Sequence, residues 1–293
     1  MMNKKLKSAA LMKRHETMFQ CPLCSADMTV IDLKSFICRN RHTFDIAKAG
    51  YLNVVQHSSA VKYDKDLFEA RRAIAAGGFF EPLERMVTDR MKQAGLPSGK
   101  TVTILDAGCG EGSHLARITE KLQSGSGLSL LGVGMDLSKT GILAAAKHER
   151  EAIWCVADLA NAPFRNRSID VILNILSPSN YAEFKRLLSD DGIVIKAIPK
   201  GGHLKELREA FYDAPEKPSR SDPADRFCAH FDLKDRTELI YRTVLDRQQL
   251  LPLIKMTPLS WNAEKERIAS FAKKESASIT VHLDILIGGK KAE

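Results

Sequence analysis

The chain has few cysteines, no long apolar run and no secretory signal, and each shortage excludes a class of protein. Six cysteines in 293 residues are too few for a scaffold held together by disulfides. No apolar stretch reaches the roughly 18 residues that a membrane-spanning helix needs. The basic N-terminus is not followed by the apolar segment of a signal peptide. We therefore expect a protein of the cytoplasm with no membrane partner.

What is present is the composition of a globular chain with a basic excess. Hydrophobic residues make up 44% and charged residues 27%, which excludes a disordered or collagen-like chain. The 44 Lys and Arg residues outnumber the 36 Asp and Glu residues, so the formal net charge is +8. This excess favours an acidic partner such as nucleic acid, although many basic proteins bind none.

Shifts in composition divide the chain into four segments. Residues 1–18 are interpreted as a basic arm that could contact phosphates, or equally as a solvated terminus. Residues 19–55 form a short module rich in cysteine and turns, and residues 56–100 carry the apolar spacing of a helical linker. Residues 101–293 alternate strand-like runs with helical stretches, which predicts an α/β fold, a Rossmann-like domain around a mainly parallel sheet.

The alternation within the last segment predicts individual strands and helices. Helices are predicted to begin near Ser113, Ser138 and Tyr181. Two late strands, Glu238–Val244 and Ile279–Ile287, suit an antiparallel pair at the edge of the sheet. In such folds ligands bind at the carboxyl ends of the parallel strands. Those strands are predicted at Val102–Leu105, Leu130–Met135, Ala152–Val156, Val171–Ile175 and Ile193–Ala197.

Four potential metal ligands lie within 22 residues near the N-terminus. Cys21 and Cys24 form a C-x-x-C turn, and Cys38 and His42 follow one hairpin later. Structural zinc takes four soft or borderline ligands in a closed tetrahedron, commonly three cysteines and one histidine. Buried free cysteines beside an unrelated histidine would not explain four ligands in a segment with so little core. The spacing predicts a structural Zn²⁺ ion with no open position for catalysis.

Two arginines, Arg39 and Arg41, stand between the last two ligands of this predicted zinc site. A loop that is held by zinc and carries arginines is a candidate RNA-contacting surface. Exposed arginines on any small module would look the same, so this pattern alone leaves both interpretations open.

A glycine-rich loop with acidic partners predicts a cofactor site. Asp106 precedes the loop, Asp136 ends the second predicted strand, and Asp158 follows the third. An acid at the second position suits a ribose diol, and one at the third could accept the adenine amino group. The loop lacks the G-x-G-x-x-G spacing of dinucleotide sites, which favours S-adenosylmethionine over NAD. Its glycines let the backbone turn sharply and approach a ligand closely: Gly108, Gly110 and Gly112.

Taken together, these motifs resemble those of the 23S rRNA (guanine-N1)-methyltransferases, the RlmA/TlrB-like family. The resemblance covers nearly the whole chain, and its most specific part is the zinc-ligand run joined to the A-K-x-G-Y segment that follows it. It rests on Phe19–Cys24, Cys38–Asn53, Ala70–Ala73, Phe80–Leu83, Asp106–Gly112 and Met256–Pro258.

The resemblance implies a small N-terminal zinc-binding module, a Rossmann-like S-adenosylmethionine-dependent methyltransferase domain and often a homodimer with a groove for RNA. It implies a guanosine target in a hairpin loop of 23S rRNA near the peptide exit tunnel, and some members confer resistance to tylosin-type macrolides. By position, Gly110 and Glu111 would contact the cofactor, as would Phe80 and His203. Phe80 keeps packing against the cofactor but lacks the hydroxyl of a tyrosine. A lone histidine such as His203 also suits a helix cap at the surface.

The sequence leaves the general base unassigned. Guanine N1 is a poor nucleophile while protonated, so the enzyme must remove that proton or stabilise charge on O6. Residues 174–179, which follow the fourth strand, take the usual place of the acceptor base, and Trp261 could stack on guanine or fill the core. Two alternatives are a methyltransferase of small molecules, such as a quinone or antibiotic precursor, and a zinc-dependent RNA-binding protein with a vestigial cofactor loop.

Overall fold

A computed structural model describes residues 3–55, 64–97, 99–124, 127–149, 151–213 and 222–291. The helices in these ranges are α1 (Lys4–Arg14), α2 (Lys65–Ala76), α3 (Glu81–Gln93), α4 (Ser113–Gln123), α5 (Lys139–His148), α6 (Tyr181–Leu187), α7 (Lys205–Phe211), α8 (Pro223–His230), α9 (Arg247–Met256) and α10 (Lys265–Ala272). The strands are β1 (Met28–Ile31), β2 (Ser35–Cys38), β3 (Thr43–Asp45), β4 (Leu52–Asn53), β5 (Val102–Ala107), β6 (Leu130–Asp136), β7 (Ala152–Val156), β8 (Ile169–Ile175), β9 (Leu188–Pro199), β10 (Asp232–Asp246) and β11 (Ser276–Gly289).

The main sheet has eight strands in the order β10-β11-β9-β8-β5-β6-β7-β4. The strands from β9 to β4 in this order are parallel, whereas β10 and β11 are antiparallel, as the sequence predicts. The chain runs from β5 outward to β7 and then returns to β8 on the other side of β5. This reversal opens a crevice at the carboxyl ends of β5 and β8, where ligands bind in such sheets.

Both faces of the sheet are covered, because side chains alternate along each buried strand. On β5, Val102 and Ile104 join one hydrophobic cluster with α2 to α5, α7, α9 and α10. Leu105 and Ala107 join a second cluster with α6, α8, α1 and the segment that contains β1, β2 and β3. The cysteine-rich segment therefore shares its core with the sheet.

The two N-terminal segments differ from their predicted organisation. Residues 4–14 are not an arm but helix α1, capped by Asn3, and its Ala9 and Met12 are fully buried. Leu52–Asn53, within the predicted module of residues 19–55, pairs with β7 at the edge of the main sheet. Residues 56–100, predicted as a helical linker, contain α2 and α3, while residues 56–63 and 98 lie outside the described residues. No described helix is long and apolar enough to cross a membrane.

Candidate functional site

The four predicted metal ligands meet in the segment that contains β1, β2 and β3. The ligand atoms of Cys21, Cys24, Cys38 and His42 all lie within 4.8 Å of one another. The Cys24 and Cys38 sulfurs are 3.8 Å apart, and Nδ1 of His42 lies 3.5 Å from the Cys38 sulfur. Tetrahedral zinc, with Zn–S bonds of about 2.3 Å and Zn–N bonds of about 2.0 Å, places its ligand atoms about 3.5–3.8 Å apart. The donor set and its spacing fit Zn²⁺.

Two tight turns bring these ligands together. The N–H of Ser25 donates to the carbonyl oxygen of Cys21 (2.8 Å), and Ser25 adopts φ +56°. In the same way the N–H of Arg41 donates to the carbonyl oxygen of Cys38 (2.8 Å), and Arg41 adopts φ +63°. Each turn folds the backbone back on itself, so the two ligands that it carries or adjoins come close together. Arg39 and Arg41 consequently stand on the second turn, and both are exposed.

The cysteine thiols at this cluster differ in acidity. Burial raises the pKa of Cys21 to about 11, whereas the backbone N–H of Ala26 lowers the pKa of Cys24 to about 6. A bound zinc ion would stabilise the thiolate form of every sulfur ligand, which is the form that binds metal. Because all four positions would be filled by protein atoms, the zinc would serve structure rather than catalysis.

The zinc module, residues 19–55, packs directly against the loop that follows β7. The ring of Phe19 lies 5.2 Å from that of Phe164 between centroids. The side-chain amide of Asn161 donates to the carbonyl oxygen of Pro22 (2.7 Å). The same loop begins at Asp158, one of the predicted cofactor residues. The metal cluster and the predicted cofactor site therefore share a structural element.

The glycine loop, residues 106–112, bends between β5 and α4. Gly108 adopts φ +86°, and a Cβ there would lie 2.7 Å from the Ser177 side chain. Gly110 adopts φ +56°, and its N–H donates to Oδ2 of Asp136 (2.8 Å). Glycine is required because L side chains are strained at these angles. The loop is thus held close to the end of β6 on one side and to the residues after β8 on the other.

A cavity of about 590 Å³ opens beside this loop at the carboxyl ends of the parallel strands. Its volume lies in the range of cofactor and small-molecule sites. Seven of the predicted site residues line it, and they come from distant parts of the chain: Phe80, Gly108, Gly110, Asp136, Asp158, His203 and Trp261. The topology of the sheet therefore brings the predicted cofactor acids and the predicted stacking residues into one place.

The two acids in the cavity wall are oriented by backbone N–H groups. Oδ1 of Asp136 accepts from Ser138 N–H (2.7 Å), and Oδ1 of Asp158 accepts from Ala160 N–H (2.8 Å). Burial raises the pKa of Asp136, while the hydrogen bonds from Ser138 and from the glycine loop act in the opposite direction. The cavity wall therefore carries two carboxylates held in fixed orientations at successive strand ends.

Three other predicted cofactor residues lie behind the cavity wall. Asp106 is buried, and burial raises its pKa to about 7. Glu111 is also buried and pairs with Nε of Arg71 at 3.2 Å. Gly112 adopts φ +83° at the start of α4, where a Cβ would lie 2.5 Å from the Trp154 ring. All three are buried residues of the glycine loop itself.

The aromatic and histidine residues of the wall differ in burial. Phe80 is buried at the start of α3 and packs edge-on against His114. Burial lowers the pKa of His203 to about 4, and its Nδ1 accepts from the His282 N–H (3.4 Å), so Nε2 carries the proton of the neutral ring. Trp261 is 46% exposed at the cavity and is not a core residue.

Arg71 is a cationic cavity residue that the predicted site residues do not include. The guanidinium of Arg71, on α2, lines the cavity, and a Cβ on Gly110 would lie 3.5 Å from its Nη1. Arg71 is thus a cation placed over the glycine loop. Only its place in the Ala70–Ala73 run of the family resemblance draws attention to it, because α2 precedes the first strand and its position depends on the fold.

The acceptor segment, residues 174–179, forms another part of the cavity wall through Leu176, Ser177 and Pro178. The side-chain amide of Asn174 donates to the carbonyl oxygens of Ala107 and Pro178, both at 2.9 Å. The segment is therefore tied to the end of β5 beside the glycine loop.

A glycine loop, two fixed strand-end acids and a cavity at the switch point, together with the cluster of three cysteines and one histidine, define a Rossmann-like methyltransferase with a zinc ribbon. Two family models match these parts: "RlmA, N-terminal" (a zinc ribbon) over residues 19–59 and "Methyltransferase domain" over residues 104–192.

YxjB of Bacillus subtilis strain 168, provisionally named a 23S rRNA (guanine-N1)-methyltransferase, is 44% identical over 94% of this chain and 98% of its own length. The 23S rRNA (guanine(748)-N1)-methyltransferase of Streptomyces fradiae is 30% identical over 85% of this chain and 88% of its own length. The chain belongs to the 23S rRNA (guanine-N1)-methyltransferase family. By contrast, similarity to the phthiotriol/phenolphthiotriol dimycocerosates methyltransferase of Mycobacterium leprae strain TN, at 35% identity, covers 36% of this chain and 37% of that protein.

Proposed function

We propose that the protein transfers a methyl group from S-adenosylmethionine to N1 of a guanine in a hairpin loop of 23S rRNA in the cytoplasm. The observation that carries this proposal is similarity to rRNA methyltransferases that runs through the zinc module as well as the methyltransferase domain. A methyltransferase of small molecules has no need of the zinc module. A vestigial cofactor loop would have no reason to keep its positive-φ glycines and its fixed acids around an open cavity.

The cavity offers a complementary group for each part of the cofactor. Asp136 would bind the ribose diol, Asp158 the adenine amino group, and the Arg71 guanidinium the methionyl carboxylate. Phe80 would pack against the cofactor, and the neutral ring of His203 would offer it an N–H donor. When bound, S-adenosylmethionine supplies an electrophilic methyl group, and the protein's task is to hold the acceptor base in line with it.

The acceptor guanine must leave its stack to reach this cavity. Trp261, half-exposed at the cavity, is placed to stack on an extruded base, and Pro178 adds an apolar surface to the cavity wall. Trp261 lies just after the Met256–Pro258 run, whose residues also line the cavity. We therefore assign this side of the cavity to the base and the side nearer Asp136 to the cofactor.

A homodimer, as the family resemblance implies, also forms part of the proposal. β10 is the last strand of the sheet, and among the described residues no strand pairs with its outer edge. Its Ile240 and Val244 are 62% and 69% exposed on one face of the strand. Unpaired edges with exposed apolar side chains favour association with another chain.

Nucleoside analysis tests the reaction directly. Incubation of the protein with S-adenosylmethionine and unmodified 23S rRNA hairpins is expected to yield 1-methylguanosine, located by digestion and mass mapping. Methyl groups on guanine N2 or N7 would overturn the assignment of the acceptor atom. Methyl groups that appear only on a small molecule would identify the protein as a methyltransferase of small molecules. Absence of cofactor binding would identify it as a zinc-dependent RNA-binding protein with a vestigial cofactor loop.

The zinc module is expected to contribute RNA affinity through Arg39 and Arg41. Replacing both by alanine should weaken RNA binding and reduce the magnitude of the slope of log K against log salt by about 1–2. The reason is that a protein with fewer phosphate contacts releases fewer counterions when it binds RNA. Cofactor affinity and zinc content should stay unchanged, since neither arginine lines the cavity or binds the metal.

The matched control is the double variant Arg85→Ala/Arg247→Ala. It removes the same charge from two exposed arginines on α3 and α9, which lie outside the zinc module and do not line the cavity. Its salt slope should equal that of the wild type. An unchanged slope in the Arg39→Ala/Arg41→Ala protein would remove the zinc module from the RNA interface and leave the reaction standing.

A further inference from the structure

A buried lysine lies directly behind the acceptor segment. Lys196, in the middle of β9, is only 7% exposed. Its Nζ donates to Oδ1 of Asn174 and to Oγ of Ser179, both at 2.6 Å, and approaches the carbonyl oxygen of Ser177 at 3.4 Å. All three acceptors belong to the acceptor segment, so one ammonium group contacts its beginning, middle and end.

The positive charge of Lys196 has no carboxylate partner among the described residues. The charged groups around it come from the elements packed on the same face. Arg226 on α8 repels the ammonium group, and Tyr181 on α6 interacts with Ser179. Asp284 on β11 lies two positions from the register partner of Lys196, but its carboxylate is paired with Arg236 at 2.6 Å. Burial and Arg226 lower the pKa of Lys196 to about 8. A buried unpaired cation is costly, so stability alone does not explain it.

The acceptor side of the cavity lacks an evident base. The described residues that line it near Trp261 and Pro178 are apolar or hydroxyl-bearing, apart from His203 and Arg208. Neutral His203 uses Nδ1 as an acceptor from the backbone and so offers only an N–H. Asp136 and Asp158 lie on the side assigned to the cofactor. A guanine in this site would therefore lose its N1 proton to solvent, and the anion would need stabilisation by positive charge.

We propose that Lys196 is a positioning residue for methyl transfer, which orders the acceptor segment and favours the anionic form of the bound guanine through its uncompensated charge. The inference rests on the proposed function. In the balanced step, the N1 proton leaves to water, the N1 lone pair forms the bond to the methyl carbon, and the pair of the carbon–sulfur bond remains on sulfur. The negative charge that develops on N1 and O6 is the charge that Lys196 opposes across the acceptor segment.

The test compares Lys196→Met, which keeps the length of the side chain but not its charge, with Lys196→Arg. Lys196→Met should lower kcat at pH 7 by about 10- to 100-fold, less than the loss of a direct oxyanion donor, because the effect acts through the segment. The KM for RNA and the Kd for S-adenosylmethionine should change by less than about threefold. Lys196→Arg should recover most of the loss. Lys200→Met, which removes a partly exposed lysine on the loop after β9 that pairs with Glu238, is the control with wild-type rates.

The pH profile separates an electrostatic role from a structural one. Without the cation the N1 proton of bound guanine is harder to lose, so the rising limb of kcat in Lys196→Met should move to higher pH. The melting temperature should change little, because removal of a costly buried charge offsets the loss of its hydrogen bonds to Asn174 and Ser179. Either a pH-independent loss of kcat or wild-type kcat in Lys196→Met would overturn the inference. Wild-type protein that makes no 1-methylguanosine would instead overturn the proposed function.

Discussion

Protein with Cys38→Ser is expected to purify without zinc and to lose nearly all methylation of RNA. The Cys38 sulfur lies 3.8 Å from the Cys24 sulfur and 3.5 Å from Nδ1 of His42, so it completes the ligand tetrahedron. A serine hydroxyl is a poor zinc ligand, and structural zinc sites contribute on the order of 10 kcal/mol of binding free energy to the folded state. Metal analysis by emission spectroscopy measures the loss against about one zinc per wild-type chain.

The consequences should extend beyond the zinc module, because the module shares its core with the sheet. Phe19 packs on Phe164, and the loop that carries Phe164 begins at Asp158 in the cavity wall. The Cys38→Ser protein should therefore have a lower melting temperature. It should also bind S-adenosylmethionine about 3- to 10-fold more weakly, a loss of roughly 1 kcal/mol of binding free energy.

Cys228→Ser is the matched control, since Cys228 is half-buried on α8 and takes no part in the metal cluster. It should keep zinc, melting temperature and activity. Stoichiometric zinc in the Cys38→Ser protein would contradict the ligand assignment. Wild-type cofactor affinity in zinc-free protein would instead show that the loop after β7 holds its shape alone.

Features encoded by neighbouring residues are the ones that the sequence predicts well. The zinc ligands are visible because a C-x-x-C turn and a hairpin place four donors within a short segment. The glycine loop is visible because close backbone approach requires Gly108 and Gly110 at positive φ. The parallel strands are visible because both of their faces are buried, which leaves continuous apolar runs.

Helix α1 is not predicted from the sequence because its pattern of apolar residues is weak. Five residues of this region are basic, and the fully buried Ala9 and Met12 are the main apolar contribution of α1 to the core. The helix is stabilised by packing on β1 and β7, which no local pattern reveals. The pairing of Leu52–Asn53 with β7 is likewise a contact between residues about 100 positions apart.

The least predictable part of the site is the network behind the acceptor segment. Lys196 lies on a buried strand, where a lysine contradicts the apolar pattern, and its partners Asn174 and Ser179 are on other elements. Only the register of β9 beside β8, which places Lys196 opposite Asn174, brings these groups together. A lysine that breaks the apolar pattern of a buried strand points to a functional role, because packing alone does not favour a buried charge.

Gly110→Val is expected to abolish binding of S-adenosylmethionine, with affinity reduced about 100-fold or more. Gly110 adopts φ +56°, which a β-branched residue rarely takes, and the strain costs on the order of 1–3 kcal/mol. A Cβ at this position would lie 3.4 Å from the Phe68 ring and 3.5 Å from Nη1 of Arg71. The two methyl groups of valine extend further, toward the wall of the cavity that we assign to the cofactor.

The substitution also disturbs the acid that we assign to the ribose. The N–H of Gly110 donates to Oδ2 of Asp136 at 2.8 Å, so a shift of the loop would turn that carboxylate away from its position. Burial already raises the pKa of Asp136, and loss of this hydrogen bond would raise it further. A neutral acid is a weaker acceptor for a ribose diol, which adds to the loss caused by steric overlap.

The control for backbone strain is Gly95→Val. Gly95 adopts φ +72° after α3, and a Cβ there would meet no atom within 4 Å. Both variants place valine at positive φ, but only Gly110→Val should lose cofactor binding in calorimetry, and both should keep zinc because neither residue is near the metal cluster. Wild-type affinity in the Gly110→Val protein would move the cofactor away from the glycine loop. Equal loss in the two variants would assign the effect to general strain and not to the cavity.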